Sequence, residues 1–270
     1  MQADRTIAPA ARVALVAASL LVAAPPSALA ASQVLVDNDA VRASLNTYAP
    51  GEGSGEHEHR DPRFVYVLAS GTLRSTDPSG TVSERIFHEG TCLYAAPLRH
   101  SVRNEGKTTV RLLEVELKGA TGPPGGMLAC PAQGEAFAAS RPGGPGASVG
   151  SAPRAPRRSI LLVSAELTAS RVEMKSGTRE PADPGRRGRF LFVLAGGHLA
   201  STAPDGARTL AGPGEALWID GSAGLTAEPP GDLVLIEVSV RERAATIGHA
   251  PGSSPDPHVP AIRPPAGGVS

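Results

Sequence analysis

The chain has 270 residues, with 26 Lys and Arg set against 26 Asp and Glu, so its formal net charge is zero. That balance excludes the electrostatic footprint of a nucleic-acid or acidic-membrane binder. Only 3% of residues are aromatic, while 31 glycines and 26 prolines favour short strands, many turns and some disordered connections.

Arg5 and Arg12 precede the apolar run VALVAASLLVAA, and Ala28-Leu29-Ala30 fits the small-x-small rule for cleavage. Residues 1–30 are therefore expected to be a signal peptide cut after Ala30, with an uncleaved anchor as the competing reading. The run is short for a bilayer span. The mature protein is expected to be exported, periplasmic or secreted, and free of the membrane.

Residues 31–118 form the first expected domain. RASLNTY, RFVYVL, GTLRST, VSERIF, TCLYAA and VRLLEVEL read as strands, separated by turn signals such as APGEGSG, DPSG and NEGK. Short strands at this spacing indicate an antiparallel sandwich or barrel. Residues 119–157 are dominated by Gly, Pro, Ala and Ser and read as a linker, and 242–270 reads as a disordered tail of similar composition.

Residues 158–241 repeat the first domain. RFVYVLASGTLRSTDPSG (63–80) aligns with RFLFVLAGGHLASTAPDG (189–206) without a gap, and Gly51 aligns with Gly177 at the same offset. GTCLYAA matches GEALWID, and VRLLEVEL matches LVLIEVSV. A shared order of strands, turns and glycines is the mark of duplication. The whole is expected to be all-β, two barrels in tandem.

His57 and His59 sit one residue apart, so in an extended segment their side chains project to one face. Two imidazoles can begin a metal site, but a third ligand is needed to complete it. In the repeat their positions hold Asp183 and Gly185, so the scaffold does not require the pair. The competing reading is a pair of solvated turn residues. A third histidine, His100, follows in APLRHSVRNEG.

With these residues the first domain resembles the cupins. Gly51, His57, His59 and Gly71 occupy the first cupin motif, while Gly90, His100 and Asn104 occupy the second, with Pro97 one place late. The resemblance implies small jelly-roll barrels and, through the repeat, a bicupin with a degenerate second barrel. It also implies a divalent metal on His57, His59 and His100, drawn from Fe, Zn, Ni, Cu or Mn. The carboxylate ligand of the family falls, counted back from Gly71, on Phe64; Asp61 and Glu58 are near but off the spacing. A neutral three-histidine set is expected to hold Mn²⁺ less well than the family's usual set, and Phe64 could cap the site.

Other candidates carry blander expectations. His88 reads as a surface turn residue, His198 has no histidine partner in its copy, and His249 and His258 lie in the tail. Tyr66 belongs to the barrel wall, though its hydroxyl could reach a pocket; Asn104 is expected to hold a turn and Trp218 to pack in the core. Cys92 and Cys130 form a disulfide, or remain a buried thiol and a loose one; both readings stand.

The expected function is an exported bicupin binding one divalent metal, serving as a small-molecule enzyme such as a dioxygenase. The alternatives are a non-catalytic binding module, or a structural protein with a scaffold second barrel. A small-molecule ligand is the expected partner, and dimerisation is compatible. No catalytic acid or base and no organic cofactor motif can be assigned.

Overall fold

The computed structural model describes residues 29–130, 155–183, 188–219 and 223–241. The residues before Leu29 that read as a signal peptide, Gly185, the segment 131–154 and the tail with His249 and His258 lie outside the described residues. Among those described there is no helix; the architecture is all-β, two barrels from one chain.

The first barrel contains β1 (Ala31–Asp37), β2 (Val41–Tyr48), β3 (His57–His59), β4 (Arg63–Ala69), β5 (Gly71–Thr76), β6 (Val82–Phe87), β7 (Cys92–Ala95), β8 (Leu98–Asn104), β9 (Val110–Leu117) and β10 (Met127–Ala129). They form a six-stranded sheet ordered β1-β2-β9-β4-β7-β10 and a four-stranded sheet ordered β3-β8-β5-β6.

The second barrel contains β11 (Arg157–Val163), β12 (Leu167–Met174), β13 (Arg179–Glu180), β14 (Arg189–Thr202), β15 (Arg208–Ala211), β16 (Ala216–Ile219) and β17 (Gly224–Val240). Here β14 is β4 and β5 run together, and β17 likewise continues from one sheet layer into the other. Two register shifts, at Val193/Ala195 and Gly196/His198, let β14 turn that corner. Gly196 has φ of 98°, and a Cβ there would lie 1.8 Å from the Asp232 carbonyl oxygen, so only glycine fits.

The duplication extends to irregularities. The bulge of β1 at Val34/Val36 recurs in β11 at Ile160/Leu162, and that of β4 at Val67/Ala69 recurs at Val193/Ala195. Gly51 and Gly177 both have positive φ, 81° and 78°.

Alternation along β4 separates two cores. Phe64 and Tyr66 face outward, into an apolar layer shared with Leu161, Leu167, Phe190, Phe192 and Val238 of the second barrel. Val65 and Val67 face inward with Tyr48, Leu73, Val102 and Leu112. The outward faces are apolar because each barrel covers the other, and a sheet buried on both sides reads as a continuous apolar run. Phe64 and Phe190 are fully buried there; each contributes about 1.5–3 kcal/mol of burial.

The segment read as a linker begins differently. Residues up to Cys130 pack on the first barrel: β10 pairs with β7, the Ala96 amide donates to the Gly126 carbonyl at 2.8 Å, and Cys130 is disulfide-bonded to Cys92 with Cα atoms 5.2 Å apart. Composition alone would not order this piece; a covalent tie and a neighbouring strand edge do.

Candidate metal centre

Strand β3 alternates its side chains, so His57 and His59 turn inward while Glu58 stays exposed. It pairs antiparallel with β8, where His57 stands opposite His100. On β8 the inward positions are His100, Val102 and Asn104, all buried. The three imidazoles thus meet across a two-strand ladder, with ring centroids 4.7 to 5.4 Å apart.

Each ring is oriented by an oxygen on its Nδ1. His57 Nδ1 lies 3.0 Å from the Gly55 carbonyl oxygen and 3.2 Å from Ser54 Oγ. His59 Nδ1 lies 2.6 Å from Glu116 Oε1, and His100 Nδ1 lies 2.9 Å from Ser75 Oγ. The carbonyl and the carboxylate only accept, so in the neutral rings His57 and His59 carry the proton on Nδ1 and turn a lone pair outward from Nε2. His57 Nε2 and His59 Nε2 are 3.0 Å apart, and His100 Nε2 is buried without any hydrogen-bond partner.

The three ligand atoms lie within 4.8 Å of one another. Tetrahedral coordination at about 2.0–2.1 Å per bond sets nitrogens roughly 3.3 Å apart. Convergent lone pairs, an orphaned buried nitrogen and oriented Nδ1 atoms fit a divalent cation, which would draw the donors together. Burial, with Arg63, His57 and His59 adding to it, holds His100 down to about 3, so the ring is neutral and ready to ligate near pH 7.

Above the histidines opens a cavity of about 630 Å³, lined by apolar Val65, Leu73, Leu93 and Leu112 and by polar Ser32, Ser44 and Asn46. Gly126 and Met127 of the disulfide-tied segment form part of its rim.

Phe64 does not cap this site. It points into the shared core, and the residues of β4 that line the cavity are Val65 and Arg63, the latter 3.4 Å from Glu114. Tyr66 likewise faces the shared core rather than the pocket. Asp61 accepts from the Gly119 amide, and Glu58 pairs with Arg60, so neither joins the cluster. Asn104 is fully buried and holds a turn, donating to the Tyr48 and Thr108 carbonyls and accepting from Gly106. His88 and His198 are exposed, and Trp218 packs against the shared core.

Sequence reasoning missed Glu116, Ser54 and Ser75, the residues that orient the rings. A signal for two of them was present in the repeat, since Ser239 stands for Glu116 and Glu180 for Ser54. Among the described residues, the second barrel has no such cluster. The bridge Gly53–Arg103 corresponds to Arg179–Thr226, which sets buried Ala223 in the place of His100.

The cupin domain family matches residues 44–116, which span the three histidines and Glu116. The first barrel is therefore a cupin domain, and the chain as a whole has the cupin fold. Its cupin fold is shared with AerE from Microcystis aeruginosa (12% identity, 80% of this chain, 98% of that one, TM-score 0.54). It is also shared with a point mutant of the oxalate decarboxylase OxdC from Bacillus subtilis (13% identity, 81% and 75%, TM-score 0.53). A cupin domain from Bordetella pertussis aligns at 24% identity over 36% of this chain and all of its own, with a TM-score of 0.34. No curated protein matches the sequence.

Proposed function

We propose that the first cupin barrel holds one divalent metal on His57, His59 and His100 and takes a small molecule from the adjoining cavity. The carrying observation is the convergence of three Nε2 atoms whose Nδ1 atoms are already engaged by oxygens. Three protein ligands leave coordination positions open, so the metal could polarise a bound oxygen or take up dioxygen and a chelating substrate. Relatives of the fold include an oxalate decarboxylase with Mn(II) centres, which lends support to a bound divalent ion.

Each carboxylate lining the cavity stands beside a basic group: Glu114 3.4 Å from Arg63, Glu116 2.6 Å from His59 and Glu58 3.1 Å from Arg60. Any chemistry would therefore run at the metal, as in a dioxygenase, rather than through a free side-chain acid or base. The same observation favours, as the second reading, a cupin that binds its ligand without turnover.

Export is part of the proposal. The apolar run before Ala30 supports it, as does a disulfide, which persists in oxidising compartments.

The test is metal content after refolding with Zn²⁺ or, anaerobically, Fe²⁺. The parent is expected to retain about one ion per chain, and His57→Ala, His59→Ala and His100→Ala to retain less than a tenth of that. Equal retention in parent and variants would refute the site. Oxygen uptake by the iron-loaded protein with thiols, diketones or keto acids separates the enzyme from the binder, and cell fractionation tests export.

A further inference from the structure

The two barrels share one buried arginine and surround it differently. Arg63 and Arg189 are equivalent, 126 residues apart, and both pair with an equivalent glutamate, Glu114 or Glu237. In the second barrel a further carboxylate, Glu180, accepts from Arg189 Nη1 at 2.8 Å. Arg158 completes the cluster, donating to Glu180 and, at 3.1 Å, to Glu237. The interior of that barrel is thus closed by two cations and two carboxylates.

In the first barrel Ser54 stands where Glu180 does, and Ser32 where Arg158 does. Both serines line the cavity. With two serines in place of one long anion and one long cation, the first barrel has open space there and its arginine lacks a second carboxylate. Arg63 is 6% exposed; its Nε stands 3.4 Å from Glu114, long for such a pair, and its Nε and Nη1 lack hydrogen-bond partners, as Nε and Nη2 of Arg189 do, but no second carboxylate meets it. Buried guanidinium hydrogens without acceptors are costly, and Arg63 lines the cavity at the place where Arg189 meets Glu180. Arg85, at the rim, directs Nη1 to Met127 Sδ rather than to a carboxylate. The lining balances Arg42, Arg63 and Arg85 against Glu58, Glu114 and Glu116, so a divalent metal on neutral imidazoles would make it positive.

We propose that Arg63 is a carboxylate-recognition residue: the first barrel binds a small carboxylic acid whose carboxylate takes the role that Glu180 plays for Arg189. The rest of the ligand then extends toward the three Nε2 atoms. This rests on the metal-site reading for its second anchor, whereas the guanidinium subsite is built from the chain alone.

The experiment titrates the full chain, metal-free and zinc-loaded, with malonate and with its neutral analogue malonamide, following heat release and Tm. Malonate is expected to bind and to stabilise, and malonamide to do neither. Arg63→Gln is expected to weaken malonate binding by roughly 10- to 100-fold, the loss of a charged hydrogen-bonded pair, while zinc affinity changes less than about threefold. Ser54→Glu, which places the second barrel's carboxylate beside Arg63, should abolish the malonate response. That variant and the malonamide comparison decide the matter even if Arg63→Gln does not fold. Equal binding of acid and amide, or of malonate by parent and Arg63→Gln, overturns the proposal. If the parent binds no zinc yet the metal-free protein binds malonate through Arg63, the metal reading fails and the subsite stands.

Discussion

Tyr94 of the first barrel donates its phenolic hydrogen to the carboxylate of Glu166 in the second. The same carboxylate accepts from the Thr121 amide and hydroxyl at 2.6 and 2.9 Å and from the Gly122 amide at 3.2 Å. One side chain therefore fastens β7, the disulfide-tied segment and the second barrel together. Glu166→Ala leaves these donors without an acceptor and is expected to destabilise by about 1–3 kcal/mol. Urea unfolding checks this, and an unchanged midpoint would show that water replaces the carboxylate at no cost.

Glu116 fixes the tautomer and pose of His59 from the far wall of the barrel. Glu116→Gln is expected to lower zinc affinity by roughly 10- to 100-fold, as changes in groups that orient metal-bound histidines do. Competition with a chromogenic chelator measures it. Unaltered affinity, with the fold intact, would mean that His59 is oriented by the strand pairing alone.

Phe64 tests the orientation of β4. Buried in the shared core, its replacement by Ala is expected to cost about 3–5 kcal/mol in unfolding free energy and leave metal affinity within a factor of about three. A changed affinity with little loss of stability would return Phe64 to the site.

That orientation explains what the sequence could and could not disclose. The histidines were legible because alternation and motif spacing are local facts, and the repeat because its strands align almost without gaps. The inward phase of β4 was not: both faces of Arg63–Ala69 are buried, so hydrophobicity favours neither. The bulge at Val67/Ala69 also adds a residue, so counting back from Gly71 selects Phe64 while the pocket receives Arg63. β8 escaped because its outward face is polar (Arg99, Arg103) and only three residues point in, one of them His100. β10 escaped because its order comes from Cys92 and β7 rather than from its own composition.

The metal-free protein should weaken in acid. His100 is held at about 3 in the fold, against 6.5 for a free imidazole. With the folded value the lower one, the unfolded chain binds the extra proton between those limits. The neutral ring's contribution is whole above pH 6.5 and is lost as pH falls toward 3. The urea midpoint is expected to decline from about pH 7 to about pH 4, and less steeply in His100→Gln. Parallel profiles for the two proteins would place the acid sensitivity elsewhere.

The apolar face shared by Phe64 and Tyr66 with Phe190 and Phe192 is covered only because two copies are present. A chain carrying a single such barrel would have to find its cover in another molecule, and its stability would vary with concentration. Fusion into one polypeptide removes that dependence, because a tethered partner is always at hand. Once the cover is guaranteed, only one interior has to keep a site. The other can close over with Met174, Leu191, Leu225 and Leu235, and become a permanent chaperone to its twin's outer wall.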